Sequence, residues 1–235
     1  LERAVELGQS AMALTDHGNL FGTTSFLKNA EKLGIKPIIG CEAYLVTDHK
    51  NMERPGRDKH VYYHLGLLAR DYEGYQNLSQ LVTNAHVEGF YYHPRTDMER
   101  LAEHGKGLIG FTGCLKGRVP QLLLQEDYEA ARSAMGEFVD IFGKENYFVE
   151  LQNHGIPLQV KIIPDLLKLA KDAKANRDRI LALRGYIRIA GMEGAGISSV
   201  ERTAMFKQAD SIATRLEEKR LIVGNLRNAG TPDAL

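Results

Sequence analysis

Residues 13–46 read ALTDHGNLFGTTSFLKNAEKLGIKPIIGCEAYLV, and the order of apolar and polar positions in this stretch decides the fold class. The apolar run from Ala11 to Leu14 has the length of a buried strand and stops at the polar quintet Thr15-Asp16-His17-Gly18-Asn19. Beyond it, Phe26, Leu27, Ala30 and Leu33 recur at helical spacing along one face, and Gly34 stands where a C-terminal cap is expected. A second apolar, β-favouring run extends from Pro37 to Val46. Strand, helix and strand in succession form the unit of an α/β protein, and a helical crossover makes parallel pairing the natural expectation.

The same alternation continues on the C-terminal side. Strands are expected at Tyr62 to Ala69, Leu108 to Thr112 and Tyr147 to Leu151, and a helix whose face is Tyr75, Leu78, Val82 and Ala85 ends before Gly89. Thr47 to Lys59, with Pro55 and Gly56, reads as a polar loop. After Ala175 the strand signals stop, and helices are expected near Arg177 to Ala190, Ser199 to Ala213 and Arg215 to Asn228. Ser199 favours a helix start, although Arg202 stands where the acid of a capping box would be. ALRGYIRIAG at 182–191 aligns with LIVGNLRNAG at 221–230 at an offset of 39, with four identities, close to the period of HEAT and armadillo units. A plain helical hairpin explains the same residues.

Composition bounds the rest. The chain has 235 residues, 30 basic and 30 acidic side chains and 43% hydrophobic residues, which excludes a disordered tail or a collagen-like chain. No apolar run approaches the roughly eighteen residues of a membrane span, and no signal peptide is visible, so a cytoplasmic protein without membrane attachment is expected. Two cysteines, Cys41 and Cys114, make no disulfide framework, and zero net charge confines any nucleic-acid contact to a local patch. All eight histidines fall between His17 and His154, and only Tyr186 and Phe206 among the aromatic residues lie beyond Ala175. The net charge is −3 before that point and +3 after it. Two domains are therefore expected, 1–175 and 176–235. Leu1 to Gly8 reads as the middle of an amphipathic helix, the mark of a fragment whose start is missing.

The candidate chemistry gathers at strand ends, where α/β folds place their ligands. In Thr15-Asp16-His17-Gly18-Asn19 a ring nitrogen of His17 can meet a metal, and Asp16 can add a carboxylate or orient a neighbour. Equally, Asp16 or Asn19 caps the next helix and His17 is solvated. Glu42 interrupts an apolar strand, and a carboxylate there needs a metal or a cation to offset its desolvation. His64 precedes Leu65-Gly66-Leu67-Leu68, and Cys114 follows Gly113 directly after a strand. Singly, these are explained as well by a surface-facing strand residue, a hydrogen-bonded core histidine and a small buried hydrophobe. Together they have the chemistry of a divalent-metal site. Tyr91-Tyr92-His93-Pro94-Arg95 and Lys116-Gly117-Arg118 carry aromatic and basic groups that suit a DNA strand, with Arg95, Lys116 and Arg118 as phosphate partners, or they are solvated loops. Glu150, Gln152 and His154 alternate on an expected strand end and so face one way.

Residues 13–46, followed by HLGLLARDYEGYQNLSQLVTNAHVEGFYYHPRTD (64–97), GLIGFTGCLKGRVP (107–120) and YFVELQNHG (147–155), strongly resemble the PHP (polymerase and histidinol phosphatase) domain of bacterial DNA polymerase III alpha subunits. The resemblance covers about Leu1 to Lys171. It implies a distorted (β/α)7 barrel whose strand ends hold a cluster of zinc or manganese ions, with magnesium a further candidate, that hydrolyses phosphoesters. Matched motif to motif, the metal ligands are His17, Glu42, His64 and Cys114; Asp16, Glu150 and His154, from their places at strand ends, are expected as hydrogen-bonding support around them. The family's His-x-His pair and its Asn-Asp-x-His motif find no match, so the resemblance implies an incomplete barrel lacking its first and last strands, followed by an all-helical, HEAT-like tail. Unpaired strand edges would result. The implied function is a fragment of a replicative polymerase alpha subunit with a metal-dependent phosphoesterase site, a candidate 3′ to 5′ proofreading exonuclease. DNA, as a single strand or primer terminus, and replisome subunits are the implied partners. Alternatives are a stand-alone phosphoesterase on a small phosphate monoester and a non-catalytic interaction module. With four ligands, this chain alone is expected to bind one ion weakly and to be inactive.

Overall fold

A computed structural model describes residues 1–47, 62–152, 154, 156–172, 183, 186–187, 190–191, 197–213 and 215–229. The expected polar loop beyond Thr47, most of the Arg177 to Ala190 helix and half of the 182–191 repeat lie outside these residues. The chain divides into two compact units, one made of Leu1–Gln121 with Glu129–Phe148, the other of Leu122–Tyr128 with Val149–Leu235.

The elements run α1 (Glu2–Glu6), β1 (Ala11–His17), α2 (Thr23–Leu33), β2 (Lys36–Val46), β3 (Tyr63–Ala69), α3 (Tyr72–Val87), β4 (Phe90–Tyr91), β5 (His93–Asp97), α4 (Met98–His104), β6 (Leu108–Phe111), α5 (Arg118–Leu124), α6 (Tyr128–Phe142) and β7 (Tyr147–Phe148). They build a mixed α/β fold around one seven-stranded sheet in the order β4-β5-β2-β3-β6-β7, with β1 also pairing β2. Long, apolar β2 is the hub: β3 lies along one edge, and β1 then β5 share the other. Helix α3 packs on β2, β3 and β5 and buries Leu78, Leu81 and Ala85. Asp71 caps it by accepting from the Gly74 N–H at 2.9 Å.

The sheet is not all parallel. β1, β2, β5, β6 and β7 run one way, whereas β3 is antiparallel to both β2 and β6, and β4 is antiparallel to β5. A parallel return from β2 to β3 needs a crossover, usually a helix, and the polar sequence between Val46 and Tyr63 has no apolar helical spacing to supply one.

Three expected boundaries also move. β1 does not stop at Leu14: its register with β2 continues through Thr15↔Gly40, Asp16↔Cys41 and His17↔Glu42, so the polar residues belong to the strand. β6 ends at Phe111 and β7 at Phe148, because Gly113 at φ +77° turns the chain away and ends the ladder. The segment Tyr91 to Arg95, legible only as a loop, is a hairpin whose turn is the single residue Tyr92.

The second unit contains α7 (Pro157–Asp172), α8 (Ser199–Ile212) and α9 (Leu216–Ala229), with Tyr186, Ile187 and Ala190 also helical. Ile163, Leu167, Tyr186, Phe206 and Ile222 form its buried centre. A complete capping box is present one residue before Ser199, where the sequence reading found none: the Ser198 hydroxyl accepts from Glu201 N–H, and the Glu201 carboxylate accepts from Ser198 N–H. Among the described residues no strand follows Phe148, and no helix is long and apolar enough to cross a membrane.

Candidate metal centre

Strand register brings the chemistry together. His17 on β1 lies opposite Glu42 on β2, and His64 on β3 lies opposite Tyr44, two residues beyond Glu42. Alternate strand residues share a face, so His17, Glu42, Tyr44 and His64 all project from the same side of the sheet. β3 is reversed, and His64 therefore reaches the carboxyl end of β1 from the beginning of its own strand.

The contacts are close. His64 Nδ1 is 2.7 Å from Glu42 Oε1, and His17 Nε2 is 3.4 Å from Glu42 Oε2. The ligand atoms of these three residues all lie within 4.8 Å of one another. Cys114 Sγ is 3.5 Å from His64 Nδ1 and 3.6 Å from Glu42 Oε1. The Cys114 loop is held against β3 by the His64 N–H, which donates to the Lys116 carbonyl at 3.0 Å.

The loop after His17 is braced from within. Gly18 has φ +68°, and a Cβ there would lie 2.7 Å from Pro94 and 2.9 Å from Tyr44, so no other residue fits. Asn19 Nδ2 donates to the His17 carbonyl, and the Phe21 N–H donates to Asn19 Oδ1. Asp16 projects from the opposite face to His17 and accepts from the Gly22 N–H at 3.2 Å, at the start of α2. It anchors the loop from behind.

Electrostatics follow from these contacts. The hydrogen bond from His64 holds the Glu42 carboxyl below its usual range. Hydrogen bonds to Cys114 and Glu42 push the His64 imidazole up to about 9. Cys41, on the other face of β2, is driven by burial up to about 12 and stays a thiol.

A metal fits this donor set on chemical grounds. Two imidazoles and a carboxylate are ligands for a divalent ion, and a thiol at the margin favours a borderline-soft one. His64 is only 7% exposed, so its ring is already oriented, whereas His17 is exposed and leaves the cluster open to solvent.

The sequence alone did not reveal the aromatic surround. Tyr44 stacks on His93 at 4.5 Å between centroids, and Tyr62 Oη lies 3.2 Å from His93 Nε2. Tyr44 was within reach of the alternation argument, being two residues past Glu42. His93 was hidden by the unrecognised hairpin.

The other candidates have different surroundings. Arg95 is buried, its Nε donates to the Gly89 carbonyl and its guanidinium lies over Tyr91, so a phosphate reaches it only by displacing these contacts. Arg118 makes a two-pronged pair with Glu137 at 2.8 and 3.0 Å. Lys116 is exposed. Glu150 and His154 belong to the second unit and lie beyond the end of β7, so strand alternation does not align them. There Gln152 donates to Glu150, and Gln159 Nε2 lies 3.1 Å from His154 Nδ1.

Comparison with known proteins adds an independent finding. The family model described as PHP domain matches residues 1–154. The chain is 46% identical over 162 residues to DNA polymerase III subunit alpha of Thermus aquaticus, covering 68% of this chain and 13% of the relative. It is 45% identical over 171 residues to the protein of the same name from Treponema pallidum, covering 71% and 14% respectively. The Aquifex aeolicus protein of that name is 42% identical over 177 residues, covering 73% and 15%. The chain thus spans about one seventh of the length of these relatives.

Proposed function

Because the chain belongs to the PHP domain family, we propose that His17, Glu42 and His64 hold one divalent ion, with Cys114 at its margin, for work on a phosphoester of DNA. The observation that carries this reading is the convergence of the three ligand atoms within 4.8 Å. Zinc or manganese suits the donors, and magnesium would be the weaker candidate. A bound ion would supply Lewis acidity and a water of lowered pKa.

The chain's own residues account for the rest. Glu42 contributes the anionic charge, His64 fixes its partner's orientation, and exposed His17 faces the approach of substrate. Gly18, Asn19 and Asp16 hold the His17 loop in place. Lys116, exposed near Cys114 in sequence, is the basic group available to a phosphate, with Arg118 and Arg95 engaged as described.

At the scale of the protein, the reading is a domain of a replicative polymerase alpha subunit, operating with DNA and replisome subunits in the cytoplasm. The names of its relatives support this. The sheet is read as an incomplete, distorted (β/α)7 barrel within 1–175, supported by β1, whose only strand partner among the described residues is β2. The segment 176–235 is read as a helical, HEAT-like tail, supported by α8 and α9. Proofreading 3′ to 5′ hydrolysis belongs to a fuller ligand set. One observation favours a second, non-catalytic reading for this chain: the described cluster has three ligands, too few to offset the repulsion of several adjacent ions.

The test is calorimetric titration with zinc, manganese and magnesium, followed by hydrolysis of a single-stranded oligonucleotide against a small phosphate monoester. One equivalent of metal, lost in Glu42→Gln and His64→Gln, is expected. Metal binding indifferent to both substitutions would overturn the assignment.

A further inference from the structure

Beside the candidate metal loop the first unit exposes a strip of aromatic rings that the cluster does not use. Phe21, four residues past His17, is 82% exposed, and its ring centroid lies 6.0 Å from that of His86. His86 lies 6.4 Å from Phe90, which is 60% exposed. Past Phe90 the hairpin carries two more rings, Tyr91 and Tyr92, which meet each other edge to face at 4.8 Å. Tyr92 is 73% exposed and sits at φ +57°, in the left-handed region that favours glycine. A largely exposed tyrosine held there against its backbone preference points to a use for the side chain and not for the turn alone.

We propose that this strip is a stacking platform for the bases of a single-stranded DNA whose phosphoester is presented to the His17–Glu42–His64 cluster. The proposal rests on the reading of that cluster as a phosphoester site and extends it to the binding of the strand. Continuity is the first argument, since the strip begins in the same braced loop that carries His17. Chemistry is the second: the strip is built from flat rings, and every base has a face that stacks on one. Charge is the third. The nearest carboxylate along the chain, Glu88, is engaged by Arg100, so it is not left to repel a phosphate backbone. With zero net charge the chain has no broad electrostatic grip, which confines strand binding to local contacts such as stacking.

The experiment uses the 235-residue chain and a fluorescein-labelled oligothymidylate, with anisotropy read in chelator and again with manganese. Phe21→Ala, Phe90→Ala and Tyr92→Gly are each expected to weaken binding in chelator by about five- to a hundred-fold, the range for loss of one stacked base. Tyr92→Phe keeps wild-type affinity. Tyr92→Gly also raises Tm while lowering affinity, a combination that a misfolded variant does not produce. The salt dependence of binding is expected to be shallow. Wild-type affinity in all three ring-removing variants would overturn the platform while leaving the metal assignment to its own titration. Failure of the wild-type chain to bind the oligonucleotide, with self-association relieved by Phe21→Ala, would assign the strip to a protein partner instead.

Discussion

At the scale of single residues, His64 joins the two sides of the cluster, and its protonation sets a pH dependence with a definite sign. In the metal-free chain its imidazole is raised from about 6.5 to about 9 by Cys114 and Glu42, so its contribution to stability is complete below 6.5 and is lost as pH rises through 9. Glu42 is lowered from 4.5, so its contribution is complete above 4.5 and is lost as pH falls through the depressed value. Both hold together between pH 4.5 and 6.5. In chelator, the Tm advantage of wild type over His64→Gln should therefore shrink between pH 6.5 and 9; an advantage that grows over that interval would contradict the pair. Metal binding runs the other way, because the ion needs the neutral ring, and apparent affinity should climb over the same interval. Two further residues invite repair. Thr96 Oγ1 and Tyr147 Oη are buried without a hydrogen-bond partner among the described residues. An unsatisfied buried group costs about 1–3 kcal/mol, so Thr96→Val and Tyr147→Phe should each leave stability unchanged or raise it by about 1 kcal/mol in urea unfolding. A loss from either would mean that its hydroxyl has a partner.

At the scale of elements, the helix caps and the hairpin carry the clearest consequences. The reciprocal bonds of Ser198 and Glu201 satisfy donors at the start of α8, and Ser198→Ala should cost about 1 kcal/mol. Its effect should appear in thermal unfolding while metal titration stays unchanged, because Ser198 is in the second unit and the three ligands are in the first. Gly74 at the start of α3 is a harder constraint. A Cβ there would lie 1.9 Å from the Gly107 carbonyl oxygen, so Gly74→Ala must move α3 from the sheet or shift the turn before β6. A cost above about 3 kcal/mol is expected from such overpacking in a buried backbone contact. A neutral result in urea unfolding would show that the turn gives way freely.

At the scale of the whole molecule, the number of ligands limits what the chain does alone. Three converging residues and a marginal thiol could hold one ion, and Glu42 is the one carboxylate among them. The chain is expected to bind divalent metal weakly and to release little or no nucleotide from a labelled single strand with added zinc or manganese. Metal-dependent release that disappears in His17→Ala and Glu42→Ala would show that this small set is sufficient.

The sequence by itself determined the alternation of strand and helix, the family and the four residues that gather at one end of the sheet. These were legible because apolar periodicity, glycine caps and long motifs are local: Ile38 to Val46 announces a buried strand wherever it is placed, and Glu42 within it is conspicuous for its charge. Strand direction was decided only by the tertiary structure, since a polar connection does not say which way the next strand returns, and His64 therefore enters the site from the start of β3 rather than from an end. The role of Arg95 was also beyond the sequence, as was the choice for Asp16 between a carboxylate for a metal and a bond at the start of the next helix. Whether a charged residue faces a site, braces a loop or lies buried under a ring depends on register and on which partners pack against it. The β4–β5 hairpin escaped notice for a related reason: two short strands turning on one tyrosine carry too few residues for periodicity to register, and β5 is held by pairing with β2 and by helix α3. That pairing brings His93 onto Tyr44 and places the Tyr92 ring in solvent, features set by contacts between segments remote in the chain.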